Sequence, residues 1–501
     1  MYAAASRPGM PSPHRHSTSE PKAVEDHEAM LEKGHQRTSS ARFTDPKDWS
    51  EKKKWVHILI GSSMAMATPL GSTIHAPALH QIADDFSTVL STASLTVQAY
   101  VVGFSIGPFL FLPLSKVYGR LYIYHAANLL LLLGHIGCAL APGMGSLIAF
   151  RFLAGCAGAC AITQGSGVIA DIIEKEKRGR AVALMAFGTV WAPTVGPLVG
   201  GCVAERFSWR GCFWVLVFVV AFNAVITLLY MDETSTIHTA CTYESHPTEG
   251  TMSPLLTRFT QEDSHPSQDY AKPLRQVLVD GLFAPFRLMR HPLFSAIAFL
   301  TALFYSIQIY LYTDIPATYK AEYDFKPSQT GLAFLGTGIG MTVGLLLFGL
   351  TSDRLMIILA GNGKRRPEHR LPLMLSSAVL VSVGLVVYSL TARTSIHWVF
   401  PILGNGLTGA GLYSLSMAAS TYLIDLCPER AADSASLLAV IRFPIGAIVS
   451  ASASTLVLLI GRTAIQAIFA VLALHAIPVL YVLYFHSTNI HTKYYSKLLD
   501  L

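Results

Sequence analysis

The sequence predicts an all-α membrane protein: twelve transmembrane helices in two pseudo-symmetric six-helix bundles. Three observations predict it. Charged residues make up only 14% of the chain and hydrophobic ones 52%, with a mean hydropathy of +0.45; soluble domains carry about 25% charged residues. Twelve apolar segments, near 55–77, 93–114, 122–141, 147–170, 181–203, 211–231, 293–313, 330–350, 371–391, 397–424, 434–460 and 464–485, each approach the ~20 residues that cross a bilayer. The two sets of six also echo each other. Pro113-Leu114-Ser115-Lys116 after the second segment matches Leu350-Thr351-Ser352-Asp353 after the eighth, and Asp171 closes the fourth as Asp425 closes the tenth.

Taken in order, residues 1–54 form a tail rich in Ser, Pro, His and charge, whose first fifty residues are too polar to bury a core or to serve as a signal peptide. Asp45-Pro46-Lys47-Asp48-Trp49-Ser50 leads into Lys52-Lys53-Lys54-Trp55, basic anchors beside an interfacial tryptophan. The first bundle covers 55–231. Residues 232–292 read as a linker, 293–485 as the second bundle and 486–501 as a tail. With both termini on one side, that side's short segments hold eighteen Lys and Arg, against six (Arg206, Arg210, Lys320, Lys326, Arg393, Arg462) on the other. Both termini are therefore expected in the cytoplasm. The net charge of +6 follows from this topology and does not suggest nucleic acid. Of the seven cysteines, Cys156 and Cys160 share a helix face with no His or acid nearby, which suits packing rather than a metal. Metal clusters, Walker-type phosphate loops and nucleophile constellations are absent, so neither an enzyme, a cofactor nor direct use of ATP is expected.

The stretch Gly188–Gly201, GTVWAPTVGPLVGG, carries the strongest signal. Gly188, Ala192, Gly196 and Gly200 recur every four residues and give one helix face almost no side chains. Another helix can lie closely on such a face. Pro193 and Pro197 form a second pair at the same step. Each costs ~3 kcal/mol in a soluble helix, whereas neighbours in a membrane bundle can satisfy the freed backbone groups. The Gly-Pro-x-x-Gly-Gly core, Gly196-Pro197 to Gly200-Gly201, resembles the antiporter motif in the fifth helix of the drug:proton antiporter branches of the major facilitator superfamily.

Further fragments carry the resemblance over residues 45–485. Pro113-Leu114-Ser115-Lys116-Val117-Tyr118-Gly119-Arg120 resembles the loop between helices two and three of fungal members, departing at Lys116, where an acid is expected, and at Leu121. Gly119 permits a tight turn, and Arg120 can cap a helix or pair with an inner acid. Arg151-Phe152-Leu153-Ala154-Gly155 resembles a motif linked to proton coupling; read alone, Arg151 also suits snorkelling. Asp171 lies roughly 30 Å further along the same helix and cannot pair with it. Trp209-Arg210-Gly211-Cys212-Phe213-Trp214 resembles a family pattern whose physical role reads as an aromatic belt. Coupling and gating candidates are Lys116, Gly119, Arg120, Arg151, Asp171, Asp353 and Asp425.

Polar residues inside the apolar segments are candidates for a substrate cavity: Gln98, Tyr100, Gln164, Tyr305, Gln308, Asn405, Tyr413 and Arg442. Arg442 is the deepest charge, and a central Arg costs ~3 kcal/mol on insertion scales; it either faces a cavity, where it can bind a carboxylate or phenolate, or snorkels. No Asp or Glu is expected at the middle of any helix, since Asp171, Glu205, Asp314 and Asp425 fall at ends. His75 falls near the end of the first segment, His135 within the third and His475 within the twelfth. The resemblance implies the superfamily fold and a monomeric, proton-coupled exporter of small organic molecules in the plasma membrane. A proton-coupled importer and a non-transporting solute sensor are the alternatives.

Overall fold

A computed structural model describes residues 46–173, 179–234, 283, 286–361, 366–427 and 431–499. The tail before Pro46 and most of the expected linker, 235–282, lie outside the described residues. The first half comprises α1 (Glu51–Thr73), the short α2 (Leu79–Asp85), α3 (Leu90–Tyr118), α4 (Arg120–Ala139), α5 (Met144–Ile172) and α6 (Gly179–Tyr230). The second half comprises α7 (Pro292–Tyr323), α8 (Pro327–Ala360), α9 (Leu371–Thr391), α10 (Val399–Leu426), α11 (Ala431–Ile460) and α12 (Arg462–Leu499). There is no strand among the described residues.

Helix α6 is two arms that meet at Ser208, whose φ of 68° breaks the helix. Among the described residues, nine helices are long and apolar enough to cross a membrane by length and composition. Helices α1 and α10 fall short because Gly, Ser and Thr dilute their apolar residues, the composition of helices that pack closely on others. With these two and both arms of α6, the architecture is consistent with twelve crossings.

The outside of the bundle is apolar, as a lipid-facing surface requires: Phe218 is 74% exposed, Ile358 73% and Leu459 76%. In the first half α1 packs on α5 and α6, α3 on α5, and α4 on α5 and α6. In the second α9 packs on α10 and α12, α8 on α10, and α7 on α11. The halves join along two seams, α6 against α8 and α3 against α11. The end of the bundle where α1 begins is termed proximal, the opposite end distal.

Candidate functional site

The seam between α6 and α8 is built from the glycine-proline stretch. Its four-residue stripe receives α1, as the spacing predicts. A Cβ on Gly196 would sit 2.8 Å from Thr73 Oγ1 and 3.2 Å from the Leu70 carbonyl oxygen, and one on Gly200 would overlap the Ile74 carbonyl. Gly188 is looser, 3.3 Å from Met66 Cβ. A second face of the same arm meets the other half. Gly201 lies against the Pro327 carbonyl, Gly331 of α8 against the Pro197 carbonyl, and Gly338 against Thr194. Pro193 and Pro197 are buried without interrupting the helix. Just beyond, Glu205 accepts a hydrogen bond from Ser328, which holds its carboxyl below the usual range, aided by the charges of Lys326 and Arg206. These contacts, two of them against backbone carbonyls, lie in the distal half of the seam, so the distal end is closed.

Beneath this closure, near mid-bundle, three of the predicted polar residues come together, with Tyr413 in electrostatic reach of one of them, Arg442. Tyr305 and Gln308 of α7 line a small cavity with Ser416 of α10 and Arg442 of α11. Arg442 Nη1 donates to Ser416 Oγ at 3.4 Å, and its guanidinium stands 4.8 Å from the Phe443 ring centre and 5.6 Å from that of Tyr305. Its Nε is buried with no hydrogen-bond partner among the described residues. Gln308 donates to the Tyr312 hydroxyl at 2.8 Å. Tyr413 crosses the seam to a hydrogen bond with Thr189. Gln98 bridges the other seam, donating to Ser450 Oγ at 3.4 Å, while its Oε1 is buried without a partner among the described residues.

The remaining three polar candidates sit elsewhere. Tyr100 is fully buried, donates to the Thr68 carbonyl at 2.9 Å and stacks under Arg151, 4.3 Å from its ring centre. Gln164 belongs to the proximal network described below. Asn405 is fully buried with neither amide atom bonded among the described residues. Arg151 does not snorkel. It is 0% exposed and donates to the carbonyls of Thr96, Gly71 and Ser72 at 2.9, 2.8 and 3.2 Å. Its donors are therefore consumed in tying α1 and α3 to α5, whereas those of Arg442 are largely free. Among the histidines, His75 bonds Thr96 Oγ1 at 3.0 Å, His135 is buried with neither ring nitrogen bonded among the described residues, and His475 is exposed on the outside of α12.

At the proximal end each half carries an arginine clamp. Arg120, at the start of α4, grips Asp171 at the end of α5 with both Nε (2.5 Å) and Nη2 (3.3 Å), and its Nη1 donates to Gln164 at 3.4 Å. Gly167 makes this possible, since a Cβ there would occupy the space of the guanidinium. Burial raises the carboxyl of Asp171, opposed by the adjacent Arg120. Gly119, with φ 86°, makes the turn between α3 and α4, and Glu233 accepts the N–H groups of Arg120 and Leu121 at 3.0 Å each. The second half repeats the clamp: Arg370 Nε donates to Asp425 at 2.6 Å and Nη1 to Ser352 Oγ at 2.7 Å. The side chains of Lys116 and Asp353 lie outside the described ones.

Sequence reasoning gave two members of this architecture no role and misread two others. Arg370 precedes its acid by 55 residues, as Arg120 precedes Asp171 by 51, and that near-equal spacing was a readable signal. Glu233 follows the sixth segment directly but has no local motif. Trp209 departs from the aromatic-belt expectation: it is fully buried and its Nε1 donates to Asp85 at 2.8 Å, beside Arg210 on the same oxygen at 2.9 Å. Only Trp214 of that pattern, 48% exposed, suits a belt. The expectation that acids avoid helix interiors fails at Asp314. The apolar segment ends at 313, but α7 continues to Tyr323, and Asp314 is buried within it.

Separately, a groove of about 840 Å³ lies between α8 and α10, with apolar Leu332, Ile339, Val343 and Leu403 among its lining residues. These residues are exposed on the lipid-facing side, away from the polar cluster.

The comparisons agree with this architecture. The family model described as Major Facilitator Superfamily matches residues 61–451. Relatives include the MFS-type transporter penM of Penicillium rubens, 33% identical over 88% of this chain and 86% of that protein. The MFS-type transporter hepF of Aspergillus oryzae is 32% identical over 91% and 93%. Among solved structures, the xylose transporter XylE from E. coli, in a partially occluded inward open conformation, superimposes with a TM-score of 0.63 at 12% identity, covering 87% of this chain and 98% of that one. The peptide transporter POT in complex with sulfate gives 0.62 at 13% identity, covering 87% and 95%.

Proposed function

The chain belongs to the Major Facilitator Superfamily, and from that premise we propose that it is a proton-coupled secondary transporter that exports small organic molecules by alternating access. The proximal end is taken as cytoplasmic and the distal end as external, in keeping with the basic residues, and the plasma membrane is the natural site for such an export. The observation that carries the reading is the α6–α8 seam. Its glycines and prolines bring two backbones into contact in the distal half of the seam, so separating them there would open that side of the bundle. The resemblance of that stretch to the antiporter motif supports export over import.

Arg442 sets the substrate class. A cation within a membrane bundle, with free donors and no carboxylate bonded to it among the described residues, favours a carboxylate or phenolate. Uncharged or acidic drugs, secondary metabolites and organic acids fit; polyamines do not. The relatives' naming as fungal MFS-type transporters supports a transporter. The driving force suffices. One charge moving through ~100 mV supplies ~2.3 kcal/mol and each pH unit about 1.4 more. A tenfold gradient of a neutral solute costs ~1.4 kcal/mol, so one proton sustains roughly fifty-fold.

The test is accumulation of a panel of labelled drugs, organic acids and polyamines in cells with and without the protein, each with and without a protonophore. Lower accumulation of acidic or neutral compounds, abolished by the protonophore, is the expected result. Higher accumulation would turn the assignment to import. Binding without any flux would leave a solute sensor.

A further inference from the structure

We infer that the cavity beside Arg442 is a halide site, which holds a chloride ion until an acidic substrate displaces it. The displacement rests on the substrate reading above; the site itself rests on the geometry. Arg442 lies inside the apolar span Ser436–Ile460 of α11. A guanidinium keeps its charge in proteins and offers five N–H hydrogens. One, on Nη1, goes to Ser416 Oγ at 3.4 Å. Nε is buried with no hydrogen-bond partner among the described residues, and no carboxylate is bonded to Arg442 among them. The Phe443 and Tyr305 rings, with centres 4.8 and 5.6 Å away, attract the charge through their faces. They do not neutralise it.

A buried cation without an anion is costly, and the cavity limits what can supply one. Its polar lining is Thr301, Tyr305 and Gln308 of α7, Ser416 of α10 and Arg442. Its volume is about 10 Å³, space for the centre of roughly one water-sized sphere. A carboxylate, sulfate or phosphate needs the helices to move; a monatomic anion needs only side-chain adjustment. The hydrogens suit an anion. Ser416 accepts from Arg442, which leaves its own hydroxyl hydrogen to give. Gln308 spends one amide hydrogen on Tyr312 at 2.8 Å and keeps a second. Thr301 is already committed to the carbonyls of Ile297 and Ala298. Guanidinium hydrogens lie in its plane, so the ion meets the edge that carries Nε rather than a ring-covered face. A metal cation would face the guanidinium, and a water molecule would fill the space but leave the charge. Chloride is the monatomic anion that cells and their surroundings hold in quantity.

The occupant has a consequence for transport. An acidic compound that binds Arg442 must expel the chloride, whereas a neutral one need not. The guanidinium then passes from one anion to the other and is not left bare inside the bundle. The lining comes from α7, α10 and α11, so the site belongs to the second half and stays whole when the halves part. Across the α3–α11 seam, the Phe104 ring stands edge-on to Phe443 at 5.0 Å. Parting that seam uncovers the Phe443 side of Arg442 and gives ions a route for exchange.

The test titrates chloride into purified full-length protein in lipid nanodiscs, in gluconate buffer, and follows binding by chloride magnetic-resonance line broadening. The expected result is saturable broadening that is lost in Arg442→Gln, weakened in Ser416→Ala and removed by an acidic compound from the transport panel. In liposomes, KM for that compound should rise linearly with chloride and double when chloride equals its own dissociation constant; KM for a neutral compound should not change. No saturable broadening in the parent would overturn the inference and leave water as the occupant. Equal broadening in Arg442→Gln would overturn it by placing the ion elsewhere. If Arg442→Gln does not fold, an unchanged chloride affinity in Ser416→Ala overturns it instead. Export of acidic compounds by a protein that binds no chloride would sink this site alone and leave the exporter assignment standing. Arg442-dependent chloride binding that no transported compound displaces would support the site and count against Arg442 as the substrate's partner.

Discussion

Gly200 and Gly201 are neighbours in sequence, yet replacing each by alanine should have different consequences. A Cβ on Gly200 meets the Ile74 backbone of α1, within the first half. A Cβ on Gly201 meets the Pro327 carbonyl and lies 3.1 Å from Ser328 Cα, across the seam. Neither obstacle is a side chain that can rotate away, so in each case the helices must separate. Overpacking of this kind costs typically 1–3 kcal/mol. For Gly200→Ala the contact persists in every state, so the cost falls on the fold and lowers the melting temperature. For Gly201→Ala the contact exists only while the distal end is closed. The same 1–3 kcal/mol then becomes a shift of roughly 5- to 150-fold in the closed-to-open ratio. The assay is the rate at which an impermeant thiol reagent, added outside intact cells, modifies Thr194→Cys beneath the closure in a Cys202→Ser background. Gly201→Ala should raise that rate by roughly the factor given; Gly200→Ala should leave it near the parent and lower thermal stability instead. Gly61→Ala, with nothing within 4 Å of its Cβ, serves as the neutral control. An accelerated rate in Gly200→Ala together with an unchanged one in Gly201→Ala would refute the assignment of the two faces.

Other expectations follow from the same geometry. Arg442→Gln should raise KM for an acidic substrate by about 10-fold or more, the loss of one hydrogen bond to a charged group, while transport of neutral compounds changes less; robust, Arg442-dependent transport of spermine would contradict this. Gly167→Ala should displace the Arg120 guanidinium and reproduce the transport defect of Arg120→Gln, with no added loss in the double variant. Ser328→Ala should let the distal end open at higher pH. Its hydrogen bond holds the Glu205 carboxyl below the usual range, so the contact is present above that range and is lost as pH falls through the lowered value; thiol reactivity beneath the closure, followed against pH, reports the shift.

Some of this was legible in the chain and some was not, for physical reasons. The glycine stripe was, because four-residue periodicity states which face is bare, and the structure seats α1 on it. The proximal acids were, because charge at the end of an apolar segment stands out. Arg442, Tyr305, Gln308 and Tyr413 were found as polar residues in apolar surroundings, and the fold brings the first three together with Tyr413 in electrostatic reach of Arg442. Tyr100 and Gln164 met the same criterion and serve other partners, since polarity alone does not say which way a residue faces. Asp314 was missed because hydropathy measures where an apolar run ends, not where a helix ends; α7 continues through a polar stretch that other helices cover. Trp209 was misread for a related reason. An indole beside an arginine suits an interface until Asp85, over a hundred residues earlier, takes its hydrogen.

The most direct test of the central claim is transport by the purified protein in liposomes, oriented with the distal end outward. An acidic compound from the cellular panel is supplied on both sides at equal concentration, and the outside is made more acidic by a pH jump. Outward movement against the gradient it creates, accompanied by proton uptake and collapsed by a protonophore, is the predicted result. Movement that only equalises concentrations, or that ignores the pH difference, would contradict proton-driven export.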